Sequence, residues 1–360
     1  ILAQWADAAL LAELLLQADA TQYSLLIQRA RSAPDEVLPQ LLAEVQPGAA
    51  TGPHPATLVT AHRVRNAAVT LLHLGRPQAV WPLLGGSPDP TARTALLLHM
   101  HEFGVPVERL LEGLPAQDDP AVRQGLLLAL EPYHGPGLAA PLERAIVDLC
   151  TRSLEQGEFQ AERSAARWLL CRWGQADRVR EIEDKLERVP DGDWQTTREG
   201  HTLRIVRGPV TFGMGSADDE PGREGEEVRR TVTIERSFAV AIHETTIEQF
   251  RRFQADAEYA TDVSPDNRCP MNRISWLQAV RYCRWLSEQE GLPEEQMCYP
   301  PLDQITPAWV VTDQLVSRSG YRLPTEAEWE FVCRAGAETR WCCGISEAHL
   351  PQFAWFAHDS

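Results

Sequence analysis

Gly320-Tyr321-Arg322-Leu323-Pro324-Thr325-Glu326-Ala327-Glu328-Trp329-Glu330-Phe331 is the most informative stretch of the chain. Thr325 and Glu328 stand three apart, the spacing at which an N-cap hydroxyl and an N3 carboxylate satisfy each other's backbone N–H groups. Trp329, Val332 and Cys333 follow at i, i+3 and i+4, the spacing of one helix face. Thr246 with Gln249, ahead of Phe250 and Phe253, and Ser275 with Gln278, ahead of Ala279, Tyr282, Cys283 and Leu286, repeat the signature. Three helices are therefore predicted in this half. Around them, Thr202–Val206 and Thr231–Ile234 alternate with the period of strands.

The residues before about 188 read differently. Apolar runs separated by Gly and Pro carry little Val/Ile/Thr alternation, which predicts helices. A weak repeat is visible. Ser87-Pro88-Asp89-Pro90-Thr91-Ala92-Arg93 precedes the run from Ala95 to Met100, and Asp118-Asp119-Pro120-Ala121-Val122-Arg123 precedes Leu126 to Leu130. A degenerate copy places Ala161-Glu162-Arg163 before Ala165 to Cys171, and His54-Pro55 opens an earlier one. The Asp of each clear copy is expected to cap a helix with Pro in its first turn, where the missing N–H would be unpaired anyway. Helix pairs at this period resemble HEAT repeats, whose core becomes continuous only by stacking; an irregular bundle is the competing arrangement. Pro190-Asp191-Gly192-Asp193 combines a helix stop with turn formers and marks the expected boundary between a helical region, 1–190, and a mixed region, 191–360.

Composition narrows the partners. The chain has 360 residues, 51 acidic against 34 basic, for a net charge of −17. Nucleic acid is not an expected partner, because phosphate binding needs clustered Lys and Arg, and Lys185 is the only lysine. No apolar run reaches the length of a membrane span. Ile1-Leu2-Ala3-Gln4-Trp5-Ala6-Asp7 is neither an initiator Met nor a signal sequence, so the chain reads as a piece of something longer. The eight cysteines contain no C-x-x-C pair and suggest free thiols in a reducing compartment, hence a cytoplasmic location. His99 and His101, two apart on a helix, face away from each other and do not suggest a shared metal.

Gly213-Met214-Gly215-Ser216, Glu244-Thr245-Thr246 with Phe250, Ser275-Trp276, and Arg322-Leu323-Pro324-Thr325-Glu326 with Glu328, Trp329 and Glu330 occur in this order. Together they resemble the formylglycine-generating enzyme (sulfatase-modifying factor) family within the C-type-lectin-like superfamily. The resemblance spans about residues 200–360. It implies an irregular α+β domain after the all-α region.

The resemblance also implies an activity: oxidation of a peptide cysteine to formylglycine by a copper-binding cysteine pair near the domain's C-terminus. Two soft thiolates suit Cu(I). The motifs that precede that pair in relatives do not occur before Phe356-Ala357-His358-Asp359-Ser360. The expectation is therefore the N-terminal portion of such a domain, with no catalytic or cofactor-binding residue in this chain; copper and calcium belong to the full-length domain. Adjacent Cys342 and Cys343 are expected to serve packing. Arg322, Glu326 and Glu330 are read as structural charges, with Arg322 bridging loop carbonyls or one of those glutamates. Trp285 and Trp329 are read as core anchors, and Asp218-Asp219-Glu220 with Glu224–Glu227 as a solvated acidic loop. Two functions compete: a cysteine-oxidising enzyme in the full-length protein, and a non-catalytic module recognising a protein or peptide on a helical-repeat scaffold. The second resembles bacterial signalling or defence proteins, some with an upstream Ser/Thr kinase, although no kinase motif occurs here.

Overall fold

The computed structural model describes residues 8–46, 57–157, 159–183, 185, 194–310 and 313–354. His54-Pro55, Pro190-Asp191-Gly192-Asp193 and both chain ends lie outside these residues. The chain divides into two units, Ile1–Leu186 with Cys333–Ser360, and Glu187–Val332.

The first unit is built from ten helices among the described residues: α1 (Ala8–Gln17), α2 (Ala20–Ser32), α3 (Pro34–Glu44), α4 (Leu58–His73), α5 (Thr91–His99), α6 (Val107–Gly113), α7 (Pro120–Ala129), α8 (Ala140–Gln156), α9 (Gln160–Arg172) and α10 (Ala176–Glu183). One apolar cluster runs from Leu11 on α1 to Ile182 on α10. Each fully buried Leu, Ile or Val contributes about 1.5–3 kcal/mol of transfer free energy. α4 lies deepest: Ala67, Ala68, Val69, Leu71 and Leu72 have no exposed surface.

The arginines of the repeat have a common task. Arg93 Nε donates to Leu84 O at 2.8 Å, Arg123 Nη1 to Leu114 O at 2.9 Å, and Arg163 Nε to Leu154 O at 3.2 Å, nine residues back in every case. Each satisfies a carbonyl near the end of the preceding helix or turn, where helical partners run out. Asp119 caps α7 as expected, accepting from Ala121 N–H at 2.8 Å with Pro120 at the first helical position. Pro90 differs from the expectation. It precedes α5 instead of lying in its first turn, while Asp89 still accepts the Thr91 N–H at 2.9 Å. The degenerate copy has no side-chain cap on α9. Its Glu162 does something else: the carboxylate, buried, takes two bonds from Arg123 at 2.7 and 2.8 Å and a third from Ser153 Oγ at 2.7 Å. Residues 333–354 belong to the same unit, with Glu338 N–H donating to Pro88 O at 2.8 Å and Ile345 N–H to Thr91 Oγ1 at 3.2 Å.

The second unit is small and irregular. β1 (Trp194–Thr196), β2 (Thr202–Val206) and β5 (Phe238–Ala241) form an antiparallel sheet in the order β1-β2-β5, and β3 (Val210–Met214) pairs with β4 (Arg230–Ile234). Three helices follow: α11 (Ile247–Phe253), α12 (Trp276–Gln289) and α13 (Glu326–Arg334), the last reaching the unit boundary. All three predicted capping boxes form. α12 organises two small cores. Val280 and Cys283 pack with Cys298, Tyr299 and Ile305, while Tyr282 and Leu286 pack with Phe250 and Ala257. Buried Arg284 ties α12 to the following turn through Glu288, Glu294 and the Tyr299 carbonyl.

Removing Arg123 leaves the buried Glu162 carboxylate without its cation. Arg123→Ala is expected to lower unfolding free energy by about 3 kcal/mol, and Arg163→Ala, which loses only bonds to carbonyls, by about 1 kcal/mol. Urea denaturation of the two variants measures the difference, and equal losses would refute the assigned roles.

Candidate functional site: an ion-paired motif centre

The Arg322–Glu330 segment is built around one carboxylate. Glu328 is 1% exposed, which an ionised carboxylate tolerates only with full compensation. Arg322 supplies a two-pronged pair, Nη1 to Oε2 at 2.7 Å and Nη2 to Oε1 at 2.8 Å. Arg236, from the loop between β4 and β5, donates to Oε1 at 2.8 Å. The Thr325 N–H and hydroxyl donate to Oε2 at 2.8 and 3.1 Å. These donors outweigh burial, which alone would raise the pKa, and hold Glu328 at about 2.

The other motif residues divide between this centre and their own helices. Glu330 accepts the Gly215 N–H at 2.7 Å, which joins Gly213-Met214-Gly215-Ser216 to α13. Gly215 has φ +92°, and a Cβ there would meet the Val228 carbonyl oxygen at 2.7 Å, so only glycine fits. Gly213 runs against the Arg229 side chain, Met214 is buried, and Ser216 Oγ donates to Glu227 at 3.0 Å. The Leu323 N–H donates to the Tyr299 hydroxyl at 3.1 Å; Pro324 and Glu326 are exposed. Thr246 and Ser275 cap α11 and α12, Phe250 is buried, and Glu244 is exposed away from the ionic centre's bonds.

Two expectations need correction. Arg322 does bond the Leu323 carbonyl, at 3.1 Å, but its glutamate is Glu328, and neither Glu326 nor Glu330. Glu328 was legible as a capping residue, and the same carboxylate has a second oxygen free to meet the arginines. Trp329 is 58% exposed and is no core anchor, because one turn of α13 turns Glu328 inward and Trp329 outward. Trp285 is partly buried, packed against the Phe250–Tyr282 cluster and stacked on Tyr282 at 5.6 Å. Arg236 belongs to no motif, and only the fold brings it to Glu328.

The two adjacent thiols lie in different surroundings. Cys342 and Cys343 occupy the tip of a tight turn closed by Trp341 and Gly344, with Cys342 exposed and Cys343 buried, and burial raises the Cys343 pKa. A Cu(I) site needs two convergent thiolates. Burial likewise pushes Cys283 up to about 12. Among the described residues, no three His, Cys, Asp or Glu side chains are placed to hold a metal, and no helix is long and apolar enough to cross a membrane.

Glu328 gives the centre a pH signature. Its folded pKa lies below the ordinary value of 4.5, so its contribution is present above about pH 4.5 and is lost as pH falls toward 2. Arg322→Ala is expected to cost about 3 kcal/mol. Glu328→Gln should flatten the acid limb of a melting-temperature profile, and an unchanged limb would refute the assignment.

Comparison with known proteins gives a family match over the same region. Residues 188–355 match the sulfatase-modifying factor enzyme 1-like domain. The inactive C-alpha-formylglycine-generating enzyme 2 of Bos taurus is 30% identical over 167 residues, covering 40% of this chain and 53% of that protein. Its counterpart from Mus musculus is 31% identical over 144 residues, covering 35% and 45%. The formylglycine-generating enzyme of Bos taurus is 26% identical over 146 residues, covering 36% and 38%. The chain thus spans about half or less of the length of these relatives. No solved structure gives a significant match. Residues 188–355 of this chain therefore carry a sulfatase-modifying factor enzyme 1-like domain.

Proposed function

We propose that the family domain in this chain is a non-catalytic recognition module for a protein or peptide, carried on a HEAT-like helical scaffold. The observation that carries this reading is the use made of the motif charges. Arg322, Glu328 and Glu330 hold backbone groups and one another, and none is left directed at a substrate. The thiols support the same reading, since burial raises the pKa of Cys283 and Cys343 and so reduces the thiolate available as a nucleophile. Two of the similar proteins carry the word inactive in their names. For the scaffold, the support is the recurrent bond from Arg93, Arg123 and Arg163 to a carbonyl nine residues back.

A contact surface is available at Trp276. The ring is 49% exposed and lies nearly parallel to Trp309, 18° between planes and 6.0 Å between centroids. Large rigid aromatics of this kind supply much of the binding energy in protein interfaces. The match to a formylglycine-generating enzyme favours a second reading, in which the full-length protein oxidises a peptide cysteine.

Surface plasmon resonance with an immobilised sulfatase-type cysteine peptide, followed by hydrazide detection of aldehyde, separates the readings. Recognition predicts saturable binding, no aldehyde with copper and O₂ present, and affinity lowered about tenfold or more in Trp276→Ala. Aldehyde formation would establish the oxidase reading, and absence of binding would overturn the recognition reading.

A further inference from the structure

In the helical unit, a cavity of about 650 Å³ is bordered by α1, α4 and α5. Its lining includes His62, Arg65, Asn66, His99, Glu102 and Phe103. Arg65 is 8% exposed and is held in one pose: its Nε donates to Asn66 Oδ1 at 2.9 Å, and its guanidinium lies over the Phe103 ring, 4.5 Å from the centroid. Asn66 cannot turn away, because its amide donates to the carbonyls of Leu15, Leu16 and Ala18 at 3.0, 3.1 and 2.8 Å, closing the end of α1. Among the described residues, Arg65 has no ion pair, and its two Nη groups donate no hydrogen bond. Neighbouring Arg63, by contrast, is neutralised by Glu13 and Glu44.

A second group has the same need. His349, from the turn Glu347–Gln352 of the same unit, is also 8% exposed, and its Nδ1 is buried without a partner. Its ring tilts against that of His99, centroids 5.5 Å apart. Burial first, then the charges of His99, His62 and Arg65, lowers its pKa. Glu102 lies 3.9 Å from His99 Nε2 and within electrostatic reach of Arg65, with its side chain more than half exposed, and Asp19 also lines the cavity. His99 Nδ1 is taken by the Ala95 carbonyl at 2.8 Å. A metal would need imidazole nitrogens free to converge and would be repelled by Arg65, and no described trio is placed for one.

Glu102 is within electrostatic reach of Arg65, but no ion pair or hydrogen bond takes the two Nη groups, and that open edge matches two oxygens of a carboxylate or phosphate. We propose that Arg65, with His62 and His99 on the same cavity wall, forms a binding site for a small oxyanion, a carboxylate or phosphate group seated on the free edge of the Arg65 guanidinium. The cavity gives the rest of the ligand room.

Isothermal titration of the full chain with inorganic phosphate, and separately with acetate, at fixed ionic strength against a chloride control, tests this. One saturable site is expected for at least one anion, and which anion binds identifies the source. Arg65→Lys, which keeps the charge but loses the fork, should weaken binding about tenfold or more. His62→Ala, on the cavity wall, should weaken it as well, and Arg152→Ala, exposed on α8, should not. If Arg65→Lys fails to fold, His62→Ala decides, since it leaves the Arg65–Phe103 stack in place. No saturable binding of either anion, heats reproduced by chloride, or unchanged affinity in the folded variants would overturn the site.

Discussion

The family domain depends on keeping one carboxylate ionised where water does not reach it. Glu328 is stable there because two arginines and a threonine cap converge on it. The arrangement links three parts of the chain that have no regular pairing: the loop at Arg236, the segment at Arg322 and the start of α13. A domain whose sheets contain three and two strands buries too little apolar surface in strand pairing to fix such loops. A buried, fully bonded ionic centre fixes them by direction, since replacing any member leaves charge uncompensated. Glu330, two residues further along α13, extends the same logic to the glycine-rich end of β3.

The helical unit solves its equivalent problem differently. Its core is continuous and apolar, and the difficulty lies at the helix ends, where carbonyls lose their partners. Arg93, Arg123 and Arg163 each reach back nine residues to such a carbonyl, and Asn66 closes three at the end of α1. Buried polar side chains in this unit thus mostly serve the backbone. Arg65 and His349 stand out because they have donors that the backbone does not use.

Local signals were legible in proportion to how short their range is. Thr246, Ser275 and Thr325 could be read as caps because both halves of each bond lie within four residues. Strands β2 and β4 followed from alternation alone. Asp119 with Pro120 marked the start of α7 for the same reason. The same local reasoning failed at Trp329. Helical periodicity gives a face, but not which face meets the core, and the inward position next to it went to Glu328. Arg322 was recognisable as structural, yet its partner could not be chosen among nearby glutamates without knowing where Arg236 lies.

By itself, then, the sequence determined the helix starts, the strand alternation, the acidic charge that disfavours nucleic acid, and the motif order that carries the family. Tertiary structure decided the rest: the ionic centre at Glu328, the exposure of Trp276 and Trp329, and the placing of Arg65, His62 and His99 on one cavity. The reason is physical. Capping and periodicity act between residues a turn apart, whereas the ionisation of a buried group depends on charges tens to hundreds of residues away, brought into range only when the chain folds.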